Sequence, residues 1–233
     1  MKVLIVVDVQ NDFCPGGSLP VNDGDKVVDV INRLAQSGEY DLIVASKDWH
    51  PANHLSFAEN HAGTNVFDEV YVDGLAQTLW PTHCVQGTPG AEFHPGLDTS
   101  AFNGVIEKGL NPRVDSYSAF CDNGGQNETR LRSIIEQAAA KKGLSPSEVQ
   151  VDVTGLALDV CVAATARDAV ERGFNTSIIL DASRAVVQGV EAEKELYQNL
   201  MDKGIELVTS GQRLPERSIE RELPRERDRG MQR

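Results

Sequence analysis

The chain has 233 residues, of which 40% are hydrophobic and 24% charged, enough for one large domain or two small ones with a real core and incompatible with wholesale disorder. Its 22 basic residues against 35 acidic ones leave a net charge of −13, which argues against a sequence-independent grip on nucleic acid or an anionic membrane. No apolar run approaches the roughly 18 residues of a membrane helix, and the opening run halts at Asp8, too early for a signal peptide. A cytoplasmic location is expected. Cys14, Cys84, Cys121 and Cys161 are too few and too scattered for a disulfide scaffold, so buried, catalytic or metal-bound thiols are expected instead.

Residues 3–7 are a fully apolar strand candidate ending at Asp8. Residues 26–36 place Val27, Val30, Ile31 and Leu34 at helical spacing before Gly38, which predicts a helix. A second buried strand is predicted over 42–45, ending near Asp48, and a short third one over 105–106 leading into Glu107-Lys108-Gly109. An amphipathic helix over 128–142 turns Leu131, Ile134 and Ile135 inward and stops at Gly143. A strand over 149–154, an alanine-rich helix over 159–172, a strand over 176–180, a helix over 190–203 and a strand over 205–208 complete the pattern.

Such alternation implies an α/β fold, a parallel sheet with helices on both faces. The site of such a sheet lies beyond the carboxyl ends of the strands, where strand order reverses. Asp8, Asp48, Lys108 and the 157–161 segment all follow strand candidates. Residues 49–103 are instead rich in Pro, Gly and His and poor in periodicity, and a loop that long is usually functional. Residues 213–233 carry seven arginines and five acidic residues. They read as a charged, solvated tail following a single domain over 1–212.

All five histidines fall between positions 50 and 94. Asp48, His50 and His54 lie within seven residues, and His83 follows in Trp80-Pro81-Thr82-His83-Cys84. Two or three imidazoles with one carboxylate suit zinc, iron(II) or manganese at a catalytic site, although ordinary loop histidines would give the same spacing. His61 and His94 are spare candidates that also read as polar loop residues, and Cys84 is either a soft ligand or, more in keeping with its type, a small buried apolar side chain. Cys161 sits where a strand gives way to a helix. In the first turn of a helix, free N–H groups and the dipole would lower its pKa and could hold an oxyanion, whereas simple packing is the alternative. Asp8, poorly solvated at the end of an apolar strand, is the candidate base, and Lys108 its electrostatic partner.

Residues 8–17, 48–57, 80–91, 107–109, 115–120 and 155–162 together resemble the nicotinamidases (pyrazinamidases) of the isochorismatase-like cysteine hydrolase superfamily, in the same order and over residues 1–210. The resemblance implies a three-layer, doubly wound, Rossmann-like fold with a six-stranded parallel sheet. It implies a triad of Asp8, Lys108 and Cys161, and an oxyanion hole from the N–H groups of Ala157 and Cys161. It implies one divalent ion, zinc foremost with iron or manganese as alternatives, on Asp48, His50, His54 and His83. Phe13, Trp80, Tyr117, Leu156 and Ala157 match substrate-pocket positions, and the Leu156–Ala157 peptide matches one that is typically cis. The implied reaction is hydrolysis of nicotinamide to nicotinate and ammonia through a Cys161 thioester, a step of NAD salvage, with pyrazinamide as a second substrate. The expected partner is that small molecule, with neither nucleic acid nor membrane involved, and a homo-oligomer is compatible with the family. Val160 departs from the aromatic or imidazole residue of many relatives, and the charged tail lies outside the pattern. The rival readings are a different amidase or imidase of the superfamily, a hydrolase acting through metal-bound hydroxide, and a non-catalytic binding module.

Overall fold

The computed structural model describes residues 1–187 and 189–214. In chain order its main elements are β1 (Lys2–Val7), α1 (Val27–Gln36), β2 (Leu42–Asp48), β3 (Glu69–Val72), β4 (Leu75–Thr78), β5 (Gly104–Lys108), α2 (Leu131–Ala140), β6 (Gln150–Leu156), α3 (Ala163–Glu171), β7 (Asn175–Arg184), α4 (Val190–Asp202) and β8 (Glu206–Val208). Six strands pair in the order β5-β2-β1-β6-β7-β8, every pair parallel. Strand order therefore reverses between β1 and β6, as in doubly wound sheets.

Period-two alternation along β1 sorts its side chains onto the two faces of the sheet. Val3, Ile5 and Val7 pack with Leu131 and Ile135 of α2, Ala163 and Ala166 of α3 and Leu200 of α4. Leu4 and Val6 pack with Val27, Ile31 and Leu34 of α1. The result is three layers, helix on sheet on helix, with one apolar core on each side. Among the described residues no helix is long and apolar enough to cross a membrane.

The strands extend further than their apolar runs suggest. β2 continues to Asp48 and β7 to Arg184, because neighbouring strands pair polar residues as readily as apolar ones. Conversely, the helix expected over 128–142 is regular only over Leu131–Ala140. The segment expected as pure loop contains the antiparallel hairpin of β3 and β4, turned by Asp73 and Gly74 at φ 51° and 85°. Asp-Gly is a favoured hairpin turn. Residues Leu158–Val162 form a π-helical turn ahead of α3, where a plain α-helix was expected. Just beyond the expected boundary at 212, two further residues touch the domain. Arg213 pairs with the buried Asp152 carboxylate at 2.9 Å, and Leu214 packs on the core. Residues 215–233 of the expected tail lie outside the described residues.

At the reversal of strand order the backbones of β1 and β6 come unusually close. Gly155 pairs with Val7 at φ 112°, and a Cβ there would lie 2.0 Å from the Val7 carbonyl oxygen. Neither the conformation nor the space admits a side chain. Gly155→Ala is expected to destabilise the fold by about 3 kcal/mol or more, read as a lower urea midpoint.

Candidate active site

Four strand ends converge at this reversal. Asp8 follows β1 at φ 49°, Asp48 and Lys108 end two paired strands and stand opposite each other in register, and the turn after β6 carries Cys161. All four are buried. The Lys108 ammonium lies 2.9 Å from Asp8 Oδ2 and 2.5 Å from Asp48 Oδ1, donates to the Ser116 carbonyl at 2.7 Å and sits 3.5 Å from Cys161 Sγ. One oxygen each of Asp8 and Asp48 and the Cys161 sulfur lie within 4.8 Å of one another. Ser46 Oγ donates to Asp8 Oδ1 at 2.6 Å.

The two carboxylates titrate apart. Burial pushes Asp8 up to about 6, with Lys108 opposing it. Burial would raise Asp48 as well, but Lys108, His50 and His83 together outweigh it and hold Asp48 well below the usual range. Burial also opposes the charge on Lys108, yet Asp48 and Asp8 keep it protonated. The Cys161 thiol is pushed well above its ordinary value, chiefly by burial and against the pull of Lys108. Against the expectation of a thiol acidified by a helix start, desolvation among carboxylates pushes it the other way.

Each histidine is fixed through Nδ1. His50 Nδ1 is 3.0 Å from the Gly109 carbonyl and His83 Nδ1 2.7 Å from the Pro81 carbonyl. A carbonyl only accepts, so both Nδ1 atoms carry the proton and the Nε2 atoms are turned the other way. His54 Nδ1 meets Ser56 Oγ at 2.7 Å. Asp48 Oδ2 lies 3.5 Å from His50 Nε2 and 3.8 Å from His83 Nε2. Donors bound at about 2.1 Å to one ion lie about 3.0–4.2 Å apart, so this spacing suits a shared ion. His50 and His54 form a second close group with Asp115, and their Nε2 atoms are buried without a hydrogen-bond partner. Burial and the adjacent His50 push His54 down to about 4 and lower His83 too, whereas burial of His50 is outweighed by Asp48 beside it, which raises that ring. The donor set and its orphaned nitrogens fit a divalent cation.

Phe13, Trp80, Tyr117, Ala157 and Cys161 line a cavity of about 240 Å3, together with Asp48, His83, Val160 and Val186. Trp80 Nε1 donates to Tyr117 Oη at 3.3 Å. Leu156 does not join them: its side chain is buried in the α1-side core, against Gly24, although its peptide with Ala157 is cis. A larger open groove of about 590 Å3 beside β5 contains neither the thiol nor any histidine, so the chemistry belongs to the smaller cavity.

Several supporting residues escape sequence reading. Gln10 brackets the Asp48 backbone, donating to its carbonyl and accepting from its N–H at 2.8 Å each, and also donates to the Ala91 carbonyl. Phe57 packs among the three imidazoles, with ring centroids 5.4 to 5.7 Å away. Asp12 accepts the Cys84 N–H at 2.7 Å, anchoring the chain next to His83. The spare histidines serve the loops: His61 Nε2 contacts the Leu55 carbonyl and His94 Nδ1 accepts from Gly96. Cys84 is buried beside His83 and belongs to none of the close ligand groups.

Comparison with known proteins matches residues 2–212 to the isochorismatase domain. The nicotinamidase of Escherichia coli (strain K12) is 41% identical over 210 residues, covering 89% of this chain and 94% of that protein. A crystal structure from L. infantum in complex with nicotinate is 37% identical with a TM-score of 0.76, covering 91% and 93% of the two chains. The pyrazinamidase of Pyrococcus horikoshii, in complex with zinc, is 36% identical with a TM-score of 0.68, covering 89% and 98%.

Lys108 is the cation between two buried carboxylates. Lys108→Met is expected to lose about 3–5 kcal/mol of stability at pH 8. The loss shrinks toward pH 5, where Asp8 takes up a proton and one of the stranded charges disappears. Urea unfolding in the presence of a chelator at both pH values checks the size and the sign.

Proposed function

The chain belongs to the isochorismatase family, and from that membership we infer that it is a nicotinamidase, hydrolysing nicotinamide to nicotinate and ammonia and acting on pyrazinamide as well. The observation that carries this reading is the sharing of one small aromatic-walled cavity by Cys161 and the Asp48–His83 donor pair. Neither a cysteine amidase without a ring anchor nor a metal hydrolase without a nucleophile needs both.

Asp8 acts as the base. Raised to about 6 by burial, it is ionised at neutral pH and a stronger base than an ordinary carboxylate, and Lys108 beside the sulfur favours the thiolate that forms when Asp8 takes the Cys161 proton. Sulfur then attacks the carboxamide carbon, and the N–H groups of Ala157 and Cys161 receive the oxyanion. Asp8 returns the proton to the departing ammonia and leaves a Cys161 thioester. It next takes a proton from water, which attacks the thioester carbon; the C–S bond breaks, nicotinate leaves, and the proton on Asp8 returns to the Cys161 sulfur. Lys108 balances the negative charge that moves between Asp8, sulfur and oxyanion. A divalent ion, zinc foremost, held by Asp48, His50, His54 and His83, would supply a positive anchor for the pyridine nitrogen. Phe13, Trp80 and Tyr117 bound the flat ring, and fixing it beside sulfur replaces a bimolecular encounter with a positioned one. The strongly negative surface does not oppose an uncharged amide, and the four free thiols accord with a cytoplasmic location.

The test is ammonia release from nicotinamide under multiple turnover. Wild-type protein is expected to turn over, and Cys161→Ala to lose at least about three decades of rate. Activity surviving that substitution would favour direct attack by hydroxide. Exhaustive chelation should raise KM and lower the rate, with recovery on adding zinc.

The pH profile follows from Asp8. Its raised pKa means that protonation, hence loss of the base, sets in below about 6. kcat/KM should fall about tenfold per unit below that point, with bound metal measured at each pH to separate this limb from ion loss.

A further inference from the structure

Asp159 has no part in the reaction just described, although it lies two residues before Cys161 in the same π-helical turn. Its carboxylate accepts two successive backbone N–H groups, from Val186 at 2.9 Å and Val187 at 2.8 Å. These residues directly follow Arg184 and Ala185 at the end of β7, and Val186 forms part of the cavity wall with Val160, Ala157 and Cys161. Core packing does little to hold this strap in place. Val186 and Val187 are 50% and 39% exposed, and Val190 just beyond is 79% exposed. An apolar wall that is half in water needs another restraint, and two charge-assisted hydrogen bonds to a single carboxylate provide it. The restraint ties the wall of the cavity to the turn that carries the nucleophile.

We propose that Asp159 is a positioning residue that holds the 185–187 strap against the substrate cavity and sets how tightly the heteroaromatic ring is retained, without taking part in bond making at sulfur. The inference rests on the nicotinamidase reading and deepens it. A fixed wall loses less conformational freedom when the ring binds, so its effect falls on binding and not on the chemical step. An asparagine could accept only one of the two N–H groups and would turn its own amide donors toward the other.

Asp159→Ala is expected to raise KM for nicotinamide, and the dissociation constant for nicotinate measured by calorimetry, about tenfold each, with kcat within about threefold. Asp159→Asn should fall between wild type and Ala. Val186→Gly, which removes the wall while leaving Asp159 in place, should reproduce the KM rise. Adding Asp159→Ala to it should change KM by less than about twofold, because both act through one contact. Should Asp159→Ala not yield folded protein, the Asn and Val186→Gly variants carry the test. A fall in kcat with KM and nicotinate affinity unchanged would overturn the inference, since Asp159 would then serve the nucleophile. Unchanged binding in Asp159→Asn and Val186→Gly would overturn it equally. Wild-type protein that releases no ammonia from nicotinamide sinks the functional reading itself, whereas active wild type with unchanged variants sinks only the strap.

Discussion

A buried ammonium shared by two carboxylates governs the chemistry available to this fold. Taking Lys108, Asp8 and Asp48 out of water is costly, and only their mutual attraction makes the burial tolerable. The sharing is unequal. Asp48 lies closer to the ammonium and also faces two imidazoles, whereas Asp8 has a serine hydroxyl for its other oxygen. One carboxylate is therefore locked as an anion and the other poised near neutrality. Two chemically identical groups acquire separate duties through their surroundings, one suited to holding a cation and the other to moving a proton.

The sheet makes that inequality reproducible. Asp48 and Lys108 are register partners on adjacent parallel strands, so backbone pairing alone sets them side by side. Ser46 and Asp48 lie two residues apart on β2 and therefore share a face. One strand thus supplies both the hydroxyl that steadies Asp8 and the carboxylate that pairs Lys108. The alternate residue, Lys47, points the other way, its ammonium 4.4 Å from the Trp49 ring centroid. Gly155 lets β6 lie against β1, which brings the Cys161 turn within reach of Asp8. A slip of one residue on β2 would send Asp48 to the wrong face.

What the sequence discloses follows the range of the forces involved. Val3–Val7 and the α1 stripe are legible because burial imposes a short, local period on them. Asp8, Asp48, Lys108 and Cys161 are legible as charged or reactive residues at strand ends, and the family motifs order them. The hairpin of β3 and β4 is hidden because its residues are half exposed and carry no strong alternation, although Asp73-Gly74 signals its turn. The π-helical turn is hidden because Leu158 and Val162 fit an α-helix equally well. Gln10 is invisible as a support since its partners lie 38 and 81 residues away. The acidity of Cys161 is hidden for a related reason: a local dipole is visible in sequence, but desolvation depends on everything packed around the sulfur.

The division between strands and loops has a further consequence for how such a site can change. The proton-moving groups stand at the ends of rigid strands, where any displacement breaks sheet register. The cavity wall proposed to hold the ring comes from elsewhere: Phe13 from the loop after β1, Trp80 from the loop after the hairpin, and Val186 from the segment after β7. Loops tolerate replacement far better than strand ends because less packing depends on them. Val160 occupies an intermediate position, one residue from Cys161 in the π-helical turn yet lining the cavity. Its side chain can alter the shape offered to the ring while Cys161 keeps its place beside Lys108. On the proposed reading, substrate preference and catalytic competence are thus carried by different parts of the chain, joined where Asp159 ties the cavity wall to the turn that bears Cys161.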